Sequence, residues 1–146
     1  MLSDLLRRLT APEPERLPEP DARRALAALM VRVARSDGHY APAEVARIEK
    51  CLMHRYGLSQ GAARGLREDA EALEAEAPDN VRFTRAIKDA VPLDDRVALV
   101  ETLWSVALAD GDRDAEEDGL LRLLVNLLGV SDVESAQARQ RAEAKG

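Results

Sequence analysis

Between residues 110 and 118 the chain places Asp110, Asp112, Asp114, Glu116, Glu117 and Asp118. Carboxylates this close repel one another unless a cation, solvent or a helix N-terminus relieves them. Hard oxygen ligands at this density suit calcium, magnesium or manganese better than zinc. An EF-hand is excluded, because its loop needs Gly at position six and Glu at position twelve, and counting from Asp110 those positions hold Ala115 and Leu121. A related pattern occurs earlier: Asp37-Gly38, five residues, then Glu44, against Asp110-Gly111, five residues, then Glu117.

Caps and turns account for part of this pattern without any metal. Glu44 and Glu117 fall in the first turn of a predicted helix, where free N–H groups and the macrodipole stabilise a carboxylate by about 0.3–1 kcal/mol. Asp37 and Asp110 suit turns, with the following glycines as left-handed caps. Asp112 and Asp114 have no such duty, so a metal site and a solvated or partner-facing acidic surface both stay open.

The remaining reactive residue types say less. Cys51 and His54 stand at i and i+3, half of a zinc site with no second pair, and a buried Cys beside a surface His is the simpler reading. His39 is better placed to join the acidic residues, or else is an exposed loop histidine. Phe83 and Trp104 sit on apolar stripes and read as core. The sequence holds no Walker loop, HExxH or Glu-x-x-His pair.

The elements that must position these residues are helical. Leu2, Leu5, Leu6 and Leu9 give a short leucine stripe, free to dock on the body, on a partner or on a membrane face. Four prolines between Pro12 and Pro20 then form an extended tether. Asp21 is a good N-cap for a helix to about Ser36, with Ala22, Leu26, Leu29, Met30 and Val33 on one stripe. Pro42 and Gly57 frame a second helix, Ser59 caps a charged third to about Ala77, and Phe83 and Ile87 mark a short fourth. Pro92 opens a fifth ending at Asp110-Gly111. Leu120 to Leu128 is the most apolar, stopped by Gly129, and Ser131-x-x-Glu134 starts a polar last helix expected to fray.

The chain also repeats itself. Residues 30–38, with Glu44 and Gly57-Leu58-Ser59 beyond them, can be laid on residues 103–111, with Glu117 and Gly129-Val130-Ser131. An apolar helix ending in Ala-x-x-Asp-Gly (Ala34 to Gly38) or Ala-x-Ala-Asp-Gly (Ala107 to Gly111), followed by Glu at the next helix start, resembles the TerB-like family, named for tellurite resistance protein B. The resemblance covers about residues 21–136. It implies an all-helical two-repeat bundle in which the Asp and Glu of each repeat lie near one another on an acidic surface that accepts a divalent metal. It also implies an interaction or sensor module linked to stress and tellurite resistance rather than an enzyme. In the first copy His39, Tyr40 and Ala41 replace Asp112, Arg113 and Asp114, which thins that half of the site.

Size and composition bound the rest. A chain of 146 residues with 46% hydrophobic and 33% charged side chains fits one globular domain. No apolar run approaches the ~18 residues of a membrane span, and no signal peptide is visible. The single Cys51 excludes an internal disulfide and fits the cytoplasm. A net charge of −6 disfavours nucleic acid.

The expectation is an all-α single-domain bundle of seven or eight helices, built from two helix-turn-helix repeats (about 22–58 and 95–130) with pseudo-twofold symmetry. Residues 1–20 are the leucine helix and tether, and residues 21–146 the TerB-like domain. The expected metal ligands are Asp37, Glu44, Asp110, Asp112 and Glu117, for calcium, magnesium or manganese, with no catalytic residue. The expected role is a cytoplasmic, non-enzymatic stress-response module with an unknown protein partner that could be membrane-associated, with no nucleic acid partner and no transmembrane segment. The rival readings are a metal-dependent hydrolase using the carboxylates and a purely structural partner-binding protein.

Overall fold

The computed structural model describes residues 5–7, 9, 19–36, 38–77, 79–109 and 115–145, the side chains of residues 19, 20 and 115–117 excepted. Within these, α1 (Glu19–Arg35), α2 (Pro42–Tyr56), α3 (Gln60–Glu76), α4 (Asn80–Ala90), α5 (Leu93–Ala107), α6 (Ala115–Leu127) and α7 (Asp132–Lys145) follow in order. Residues 5–7 and 9 are helical too, and no strand occurs among the described residues. The chain is thus all-α, as its 3–4 apolar spacing predicts.

The centre of the bundle is α1. From Ala25 to Val31 every residue is buried, and α1 touches α2, α3, α4, α5 and α6. A single stripe would have needed cover on one face only; a helix that is Ala-, Leu- and Val-rich all round is instead surrounded. Its start also differs from expectation. The helix is already formed at Glu19, so Asp21 lies in the first turn and not at the N-cap position, and it accepts a hydrogen bond from Arg24 (3.3 Å). Pro20 fits there because the first four N–H groups of a helix have no intrahelical partner.

The other punctuation follows the sequence. Ser59 accepts the Ala62 N–H (3.2 Å) at the start of α3, and Asp79 accepts the Arg82 N–H (3.0 Å) at the start of α4. Gly57 (φ 63°) and Gly129 (φ 74°) take the left-handed conformation after α2 and α6. The next N–H then reaches back, Leu58 to the Met53 carbonyl and Val130 to the Val125 carbonyl, each at 3.1 Å. Arg96 adds a cation at two helix ends, donating to the Val91 carbonyl (3.0 Å) and to the Leu128 carbonyl.

One further region departs from the sequence reading. The last helix does not stand apart: Ser135, Ala138 and Ala142 form a buried stripe against α5, and Trp104 Nε1 donates to Ser135 Oγ at 3.0 Å. Small residues give a weak hydropathy signal, yet they let two helix backbones approach closely. At the other terminus, Leu5 and Leu9 are 1% and 2% exposed and belong to the core cluster, with Leu6 packed against it. Of the three docking surfaces open to the leucine stripe, these side chains use the body of the chain.

Candidate functional site

Pro42 supplies the first residue of α2, which makes Glu44 its third. That position turns the side chain back toward the helix start. Glu44 Oε1 accepts the Ala41 N–H at 3.0 Å, and the residue is fully buried. A buried carboxylate is costly unless its oxygens are served, and the dipole and donor at a helix start lower that cost. The capping role expected for Glu44 is therefore met by one oxygen.

Glu117 is likewise the third residue of its helix, α6 beginning at Ala115. Its side chain lies outside the described residues, as do Asp37, Asp110 and Asp112 of the predicted ligand set and the neighbouring Asp114 and Glu116. Among the described residues, no three His, Cys, Asp or Glu side chains converge as a metal cluster. Gly38, after Asp37, has φ 80°, the left-handed conformation expected of it.

The turn leading into Glu44 is held from the side by residues that sequence reasoning passed over. Tyr40 Oη donates to Glu71 Oε2 at 2.7 Å, and the Arg35 guanidinium lies 5.2 Å from the Tyr40 ring centre. Arg67 donates to that same Glu71 oxygen (2.7 Å) and to Glu49 Oε2 (2.7 Å), linking α3 to α2. Arg32 and Arg35 both reach Glu74, at 3.3 and 2.9 Å, linking α1 to α3.

Burial, together with the Glu71 carboxylate that its hydroxyl serves, pushes the Tyr40 phenol well above its usual range. Burial works against the Arg67 charge, but the hydrogen bonds it donates to Glu49 and Glu71 outweigh it and hold the guanidinium protonated. Tyr40, which stands where the second copy has Arg113, thus serves as an anchor. Only the Arg67–Glu71 i,i+4 spacing signalled this network in the sequence.

The remaining candidates resolve simply. His39 and His54 are exposed, while Cys51 is half-buried with its thiol 3.9 Å from Ser105 Oγ. Burial pushes the Cys51 thiol up, and Ser105 and nearby cations offset this only in part. Phe83 and Trp104 are core, as their stripes imply. No described helix is long and apolar enough to cross a membrane.

The described residues define a helical bundle whose Tyr40 loop is pinned by charged side chains. The family model for tellurite resistance protein TerB matches residues 23–140, and the chain belongs to that family. No curated protein and no solved structure matches the chain.

Proposed function

We propose that this TerB-family chain is a cytoplasmic, non-enzymatic stress-response module whose acidic turn region takes a divalent cation and, through it, a protein partner. The observation that carries the reading is Glu44, a fully buried carboxylate fixed at the third position of α2, with Glu117 at the same position of α6. Oxygen donors of this kind suit a hard cation. Asp37 and Glu44 on one side, and Asp110, Asp112 and Glu117 on the other, would hold it. When bound, the cation would neutralise mutual repulsion among these acids and fix the turn surface that a partner meets.

The chain's own contribution is positional. The Tyr40–Glu71 hydrogen bond and the Glu44–Ala41 hydrogen bond hold the first turn on both sides. Beyond the carboxylates and the exposed His39, no general base accompanies them in sequence, which favours binding over turnover. Calorimetric titration of chelator-treated protein with calcium, magnesium and manganese tests the proposal, beside a phosphoester hydrolysis panel. Saturable binding of at least one ion without turnover is expected. Absence of binding to all three, or metal-dependent hydrolysis, would overturn it.

A further inference from the structure

A cleft of about 530 Å³ opens between α2, α5 and α7, a size in the range of small-molecule sites. Four permanent cations line it (Arg47, Lys50, Arg55 and Lys145) against one carboxylate, Glu101. This balance is opposite in sign to the chain as a whole, which carries −6. Cys51, Ala98 and Ala142 supply its less polar wall.

The lining is partly preorganised. Arg47 donates to Ser105 Oγ at 3.0 Å and to the Ser105 carbonyl at 3.3 Å, which fixes both groups. The Ser105 hydroxyl receives Arg47 and, weakly, the Cys51 thiol, so its own proton remains to be donated. Glu101 is occupied by Lys145 and Arg141, each at 2.6 Å, and this neutralises the single acid of the cleft. Arg55 Nε is buried and has no hydrogen-bond partner among the described residues. A group with several acceptor oxygens would satisfy these donors together.

We propose that this cleft binds a small phosphomonoester, its phosphate held by Lys50, Arg55 and the Ser105 hydroxyl and its carbon skeleton lying along Cys51, Ala98 and Ala142. A doubly charged phosphate matches the excess of cations better than a single carboxylate does. The site shares no residue with the acidic turn region and stands independently of it.

Cys51 is the chain's one thiol and lines the cleft, so its alkylation by the neutral reagent N-ethylmaleimide reports occupancy. The full-length protein is labelled in the presence of glycerol phosphate, inorganic phosphate, sodium chloride at matched ionic strength, or phosphatidylcholine vesicles containing phosphatidic acid. The expected result is saturable slowing by glycerol phosphate, weaker slowing by inorganic phosphate and none by chloride. Lys50→Glu, at an exposed position, should weaken protection about tenfold or more. Ser105→Ala leaves every charge in place and should weaken it about fivefold. Equal slowing by chloride, slowing by the vesicles alone, or unchanged protection in both variants would overturn the proposal.

Discussion

Glu44 and Glu117 occupy the same place in two helices: each is the third residue, after Pro42-Ala43 in α2 and after Ala115-Glu116 in α6. The shared position gives physical content to the sequence spacing, because a carboxylate there can cap its own helix and still leave an oxygen for another partner. For Glu44 the capping half of that dual use is explicit in its bond to the Ala41 N–H.

The loop before Glu44 depends on Tyr40. Tyr40→Phe removes the donor to Glu71 and should cost about 1–2 kcal/mol in a urea melt. The parent also carries an alkaline signature. The folded-state phenol is raised above its unfolded value near 10, so its contribution is complete below about pH 10 and is lost as pH rises further. Tyr40→Phe should lose less stability than the parent as pH rises above about 10.

Glu101 gives the opposite dependence. Burial disfavours its charge, but Lys145 and Arg141 more than compensate and hold the carboxyl below its ordinary range. The stability it confers is present above the unfolded value near 4.3 and disappears as pH falls through the folded one. Glu101→Gln should therefore flatten the acid limb of the stability curve below about pH 5, measured by thermal melts, with the rest of the curve parallel.

The last helix is tied in through Ser135. Ser135→Ala leaves the buried Trp104 Nε1–H without its acceptor and should destabilise by about 1–3 kcal/mol. The Trp104 fluorescence maximum should shift as the indole environment changes. An unaltered melt and spectrum would show that α7 contributes little to the core.

The N-terminal leucines are a parallel case. Leu9 is 2% exposed within the core, so Leu9→Ala should cost about 2–5 kcal/mol by chemical denaturation. A loss below about 0.5 kcal/mol would mean that the segment leans on the body without supporting it.

Most of the fold was legible because its signals are local. Pro42, Gly57, Ser59 and Gly129 act through their own backbone or a neighbour within a few residues, and the structure uses each as its type dictates. What escaped depends on partners distant in sequence. Nothing near Tyr40 announces Glu71, and nothing in Ser135, Ala138 and Ala142 announces α5. The same limit applied to α1, whose burial on all sides follows from the helices around it. For the acidic turns, spacing picked out Glu44 and the third-position Glu117, while Asp37, Asp110 and Asp112 lie outside the described residues.

The central claim is that the acidic turns bind a divalent cation, and the direction of a stability change tests it most directly. Thermal melts are compared for the parent and for Asp110→Asn combined with Glu117→Gln, each in chelator and in millimolar calcium, magnesium or manganese. A cation that binds only the folded chain stabilises it by about 2.7 kcal/mol at a hundred times its dissociation constant. The parent should show a rise with at least one ion, the variant none, and the variant in chelator should be as stable as the parent or more so as repulsion falls. An equal response to metal in both proteins would remove Asp110 and Glu117 from the site. No response in the parent, with a loss of up to about 1 kcal/mol in the variant, would contradict the account and leave these carboxylates as helix caps.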